Sequence, residues 1–212
     1  DFIRPFMSQA EGIMQWYYNK LNAKGLLSKI EPAPWVDWSD GFDAGNAPQD
    51  DDGNSILLSL IYCLCCQYME TLNKAVWHEE PQLSHASFWK SISSKISQSV
   101  LKHGWDKKKA MFKDTLKGKS ISIHTQVQAV LAGVVKGKDA KTLMHKALSP
   151  DATINPTKTL HYQFYIYEAL KKLNMNTEML QLLKKWIDVL DLRGLSTWPE
   201  NDTTQCRSDC HA

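Results

Sequence analysis

No charge of one sign predominates in this sequence. Among its 212 residues, 25 basic side chains stand against 23 acidic ones, a formal net charge of +2. That overall balance gives no electrostatic footprint for nucleic acid or an anionic membrane, and neither is expected as a partner. No signal-peptide pattern and no membrane-length apolar run are visible either. The longest run, Ile56 to Met69, contains Ser59 and Gln67 and suits a buried helix better than a span. Strand-length alternation is scarce, and no repeat of fixed period appears, which argues against a helical solenoid.

Metal chemistry is also thinly represented. The five cysteines are an odd number, so they cannot all pair within the chain. Cys63, Cys65 and Cys66 lie in the apolar run and read as small buried hydrophobes. Cys206 and Cys210 precede His211, but no second ligand pair follows at a zinc-like spacing, so no metal is expected. The acidic run Asp50 to Asp52 misses the calcium-loop template, because its first ligand would be Pro48 and its last Ser59. A solvated loop capping the following helix is the simpler role.

What the sequence does contain is helical periodicity almost throughout. Seven helices are predicted, over about 3–21, 55–77, 84–103, 124–135, 139–148, 159–173 and 177–192. Gly25 and Gly194 read as stop signals, and Asn155-Pro156-Thr157 as a start signal for the sixth helix. The stretch from Lys109 to Leu116 reads as a small strand. Helices two, four and, less cleanly, six are apolar nearly all round, whereas the other four are amphipathic. Connections alternate too: 24–53, 104–123, 149–157 and 193 onward are long, and those after helices two, four and six are short. In an up-and-down array every second loop lies at one end, so the long loops converge on the amino ends of the inner helices.

That face carries the residues with chemistry. Eight Trp and seven Tyr are a high count for this length. Trp35 and Trp38 surround Asp37, an arrangement suited to a sugar subsite in which a ring stacks on C–H faces and a carboxylate accepts hydroxyl protons. The alternative is that one Trp anchors the loop. His124 and His161, near helix starts, border the same cleft or serve as structural helix ends. In Trp198-Pro199-Glu200, Pro199 fixes its own φ and restricts Trp198, which orients the carboxylate. Partial desolvation beside an indole would make Glu200 a general base; the alternative is a capped surface carboxylate.

At these residues the sequence resembles the α-L-rhamnosidase family of glycoside hydrolases. The resemblance is carried by Val36-Asp37-Trp38, Phe88-Trp89 to Trp105-Asp106, and Ser122-Ile123-His124 leading into Ala129-Val130-Leu131-Ala132-Gly133. It continues through Tyr162-Gln163-Phe164-Tyr165 before Glu168-Ala169-Leu170, then Ser196-Thr197-Trp198-Pro199-Glu200 and Ser208-Asp209-Cys210-His211-Ala212. It implies an all-α (α/α)6 barrel of the six-hairpin glycosidase type and an inverting hydrolysis of terminal α-L-rhamnose, with no cofactor. By position in the motifs Glu200 is the expected general base. Trp38, Trp198 and His211 are the expected sugar contacts, with Asp37, Trp35 and His124 as further substrate-binding residues.

The family's general acid lies in a segment before the first inner helices, and nothing here matches it; Asp40 and Asp43 lie in a different loop. Seven helices also fall short of the barrel's twelve. Residues 1–212 are therefore expected to be the carboxyl-terminal part of one catalytic domain. The expected partners are the amino-terminal remainder of the same enzyme and a rhamnose-containing carbohydrate. Two other functions fit the same residues: a catalytically inactive carbohydrate-binding relative, and a helical scaffold in which the tryptophans are core.

Overall fold

The structure, a computed structural model, describes residues 2–201 and 203. Its helices are α1 (Met7–Tyr18, after a 3-10 turn at Arg4–Phe6), α2 (Ile56–Val76), α3 (Ala86–Gly104), α4 (Ile123–Leu131), α5 (Gly137–Ala147), α6 (Leu160–Lys172) and α7 (Asn176–Arg193). Two short strands, β1 (Trp105–Asp106) and β2 (Met111–Phe112), pair antiparallel between α3 and α4. The strand expected around Lys109 is thus half of a hairpin whose other half is the end of α3's own chain.

The packing is an arc of part of an all-α barrel. α4 lies between α2 and α6 to form an inner row, while α1 and α3 pack on α2, α5 on α4 and α7 on α6. α2 is long and apolar enough to cross a membrane by length and composition. Here Ile56, Leu57, Leu60, Cys63 and Cys66 are fully enclosed by its neighbours instead.

The inner helices also start differently from the outer ones. Ser55, Ser122 and Thr159 sit in extended conformation before α2, α4 and α6, and their hydroxyls accept from Leu58 N (3.2 Å), Thr125 N (3.4 Å) and Tyr162 N (3.2 Å). Such caps satisfy otherwise orphaned amides, each worth about 1 kcal/mol. The four outer helices have no side-chain cap.

Three local expectations change. α1 ends at Tyr18, and Gly25, at φ 73°, serves the tight turn that brings Leu21 to Leu27 rather than a helix end. Asp50 does not cap α2, which Ser55 does; it accepts from the amides of Asp52, Asn54 and Lys117 and so ties the first long loop to the second. The cap of α6 is Thr159, not the Asn155–Thr157 segment. Gly194 does close α7, in the left-handed conformation.

α4 is buried from Ile123 to Val130, and not through its apolar side chains alone. Thr125 donates to Asp114 (2.5 Å), and Gln126 accepts from Phe112 N and donates to Phe112 O, both at 2.8 Å. Gln128 donates to the Tyr162 hydroxyl (3.2 Å). A buried polar group is tolerated when it is hydrogen-bonded. On α4 the bonds fasten a strand, a loop and a neighbouring helix to one element.

Candidate active site at the long-loop end

The long connections meet at the amino ends of α2, α4 and α6. Asp114, enclosed in the second loop, offers its carbonyl to Ile56 N (2.9 Å) at the start of α2. Its carboxylate accepts from Ser122 N (3.0 Å) and the Ser122 hydroxyl (2.7 Å) at the start of α4, and from Ser120 (2.7 Å). The third loop joins the second through Asn155 N to Ile121 O (2.8 Å) and Ile123 N to Asn155 O (3.0 Å). The fourth reaches the start of α6, where Leu160 N donates to Glu200 O (2.9 Å) and Thr159 bridges Asn201.

The first loop is locked in by one carboxylate. Residues 36–40 alternate in and out as an extended chain does, with Asp37 and Ser39 facing inward and Trp38 and Asp40 outward. Asp37 Oδ2 accepts from His124 Nε2 and from the Thr157 hydroxyl, each at 2.6 Å, and Oδ1 accepts from the Thr159 hydroxyl. Ser39 adds a bond to Pro156 O (2.9 Å). Because a carboxylate only accepts, the His124 proton sits on Nε2. His124 packs against Phe42 and Tyr162, with ring centroids at 4.7 and 4.1 Å. Burial holds the Tyr162 hydroxyl neutral by pushing its pKa far up.

Asp37 and His124 are both fully enclosed, which differs from their expected place as sugar contacts. Two ionisable side chains are tolerated inside because Asp37 pairs with His124 Nε2 and two threonines, although the enclosed His124 Nδ1 has no hydrogen-bond partner. The anchor of the loop is therefore the carboxylate, and neither Trp is core: Trp35 and Trp38 are each 45% exposed.

The rings on this face form a strip in which Trp35, Trp38 and His161 are exposed and Tyr165 is half-buried. Centroids run Trp38 to Trp35 at 6.1 Å, Trp35 to His161 at 6.0 Å and His161 to Tyr165 at 6.1 Å. Gly45, at φ 79°, makes room for it, because a Cβ there would overlap the Trp35 indole. Val36 N and Asp37 N both donate to Gly45 O (2.8 and 3.2 Å), so the same glycine seats the Trp and the anchor.

Trp198 is half-buried, Pro199 buried and Glu200 half-buried beside the α6 amino end. His211 lies outside the described residues, as do Cys206 and Cys210. No group of three or more His, Cys, Asp or Glu side chains converges as a metal site among the described residues. Thr157, Thr159 and Tyr165 were not expected as site residues from the sequence. Thr159 carried a signal in its cap position, but its bond to Asp37 spans 122 residues and has no local trace.

This architecture is part of an all-α helical barrel. No family model and no curated protein matches the sequence. Solved structures do match. The GH78 family rhamnosidase of Bacillus sp. GL1 aligns with a TM-score of 0.81 and 21% identity, covering 99% of this chain and 22% of that one. A rhamnosidase from Klebsiella oxytoca with rhamnose bound aligns with a TM-score of 0.77 and 16% identity, covering 93% of this chain and 36% of that one. At such identities the likeness establishes the fold, which is that of part of a rhamnosidase. The chain spans well under half the length of either structure.

Proposed function

We propose that this chain supplies the general-base half of an inverting α-L-rhamnosidase active site, and that residues 1–212 are the carboxyl-terminal part of one (α/α)6 catalytic domain. The observation that carries this reading is the meeting, at the α6 amino end, of the exposed ring strip and the Glu200 segment. Trp35, Trp38 and Trp198 offer faces to the C–H surface and methyl group of a 6-deoxy sugar. Glu200 takes a proton from water as that water attacks the anomeric carbon. An acid elsewhere in the enzyme protonates the departing glycosidic oxygen as its bond to that carbon breaks. The two carboxyl groups of an inverting pair stand about 6.5–9.5 Å apart, leaving room for the water. His211 is the proposed further sugar contact, while Asp37 and His124 hold the Trp38 loop in place rather than touch the sugar.

The test is Glu200→Gln in the full-length protein, assayed on an aryl α-L-rhamnoside. Turnover within a few-fold of the parent removes Glu200 from the mechanism. A ring strip also suits a non-hydrolysing carbohydrate-binding protein. That reading gains if the parent binds rhamnose, seen as a saturable change in Trp fluorescence, yet releases no product.

A further inference from the structure

The overall charge balance conceals a local excess. Residues 102–146 contain eleven Lys and no Arg against three Asp and no Glu. One of those three, Asp114, is enclosed and consumed by hydrogen bonds at the helix starts. Lys102, Lys107, Lys108 and Lys109 are exposed. Asp106 accepts from Lys108 N (2.9 Å) and Lys109 N (3.0 Å), which shapes the turn that presents these lysines between β1 and β2. Desolvation, then the charges of Lys102, Lys24 and Lys113, push the nearby His103 below its ordinary pKa, as a crowded cationic surface does.

This cationic turn adjoins, through Ala110, a cavity of about 450 Å³ on the outer flank of the arc, between α3, the hairpin and α5. Leu101, Trp105, Val135 and Leu143 give it apolar lining, and Asp139, Thr142 and Lys146 add an acceptor, a hydroxyl and a cation. Trp105 is half-buried, packed edge-on against Phe112 at 4.9 Å, which fixes its ring while leaving part of it open. The Lys146 ammonium is tethered to Lys109 O, and it stands between this cavity and a second one of about 320 Å³ that leads to Ser149–Ile154 in the third long loop. The volume lies in the range of small-ligand sites, and a fixed indole with a few convergent polar groups is what a sugar ring requires.

We propose that this cavity is a second carbohydrate subsite, separate from the Glu200 region, for an acidic sugar residue of a longer glycan. The indole of Trp105 takes the ring's C–H face, while Lys146 and the Lys107–Lys109 turn pair with the carboxylate. The choice of a glycan over another polyanion rests on the glycosidase reading. The charge and the lining stand without it.

The test is calorimetric titration of the full-length protein with an oligogalacturonate, an uncharged galactose oligosaccharide and a DNA duplex. The expected result is saturable, salt-weakened binding of the oligogalacturonate alone. Trp105→Ala and Thr142→Trp, which places a bulky side chain in the cavity lining while keeping Trp105 and Phe112, should each weaken it at least tenfold. Trp105→Phe should retain most of it. Replacing Lys107, Lys108 and Lys109 together by Gln should weaken binding and flatten its salt dependence. Hydrolysis of a small aryl rhamnoside by these variants should stay at the parent's level. No binding by the parent, equal binding of the neutral oligosaccharide or the DNA, or indifference to both cavity variants would overturn the subsite. Loss of aryl rhamnoside hydrolysis in the parent, with oligogalacturonate binding intact, would instead refute the hydrolase reading and leave the subsite standing.

Discussion

His124 Nε2 lies 2.6 Å from Asp37 Oδ2, with both side chains fully enclosed and 87 positions apart in the chain. One end of the pair belongs to the first long loop and the other to the first turn of α4. Thr157 and Thr159 complete the shell from the third loop and the cap of α6. The position of the exposed Trp38 is thus set by a contact that Trp38 does not itself make.

Removing one member of an enclosed pair leaves the other charge or donor unmatched. Asp37→Ala should destabilise the protein by about 3–5 kcal/mol, whereas Asp37→Asn, which keeps the shape and an acceptor, should cost clearly less. Denaturant unfolding of the full-length protein reads the difference. Equal losses in the two variants would mean that the site tolerates an unmatched His124.

Thr159 both caps α6 and donates to Asp37. Thr159→Ala should cost more than the ~1 kcal/mol of an ordinary cap, and Thr159→Ser should restore most of it. In a double-mutant cycle with Asp37→Asn the two losses should fall short of additivity by about 0.5–3 kcal/mol. Strict additivity would separate the cap from the anchor.

The exposed strip and the enclosed anchor should separate in their effects. Trp38→Ala and Trp35→Ala should change unfolding free energy by roughly 0.5 kcal/mol or less, as exposed positions do. Each should weaken sugar binding by the equivalent of about 0.5–1.5 kcal/mol, several-fold in KM. Glu200→Gln should do the reverse, lowering kcat by about 10²–10⁴-fold with little change in KM. Steady-state kinetics on one aryl rhamnoside distinguishes the two patterns.

Alkaline pH should weaken the core. Burial raises the thiols of Cys63, Cys65 and Cys66, the last to about 12, and raises the hydroxyls of Tyr62 and Tyr162. Between the ordinary thiol value of 9.0 and these raised values, the folded chain keeps protons that the unfolded chain releases. Its stability is therefore complete below about pH 9 and falls as pH rises above it. Urea midpoints measured at successive pH values from neutral upward should decline only beyond that point; a decline beginning near pH 7 would need a different group.

Much of the architecture was legible because it is local. Hydrophobic period and length placed seven helices within a few residues, and α2's apolar surface marked it as an inner helix. The alternation of loop lengths matches the inner row of α2, α4 and α6 against the outer helices. α4 was read as inner for an incomplete reason, since much of its buried surface is polar and paired. Which histidine faces out was not legible: His124 and His161 both stand in the first turn of an inner helix. One is enclosed beneath Phe42, and the other is exposed beside Trp35.

The sequence by itself determined where the chain is helical, that helix two begins near Ser55, and that the long loops share one end. These depend on contacts within one or two helical turns, where residue type and spacing carry the energy. Only the tertiary structure decided that Asp37 faces inward and Trp38 outward, that Glu200 meets the α6 amino end, and that Trp105 opens onto a cavity it shares with Lys146. Those outcomes depend on partners a hundred residues away or on gaps between helices. The free energy that selects them is desolvation matched by hydrogen bonding at a place that exists only once the helices have packed.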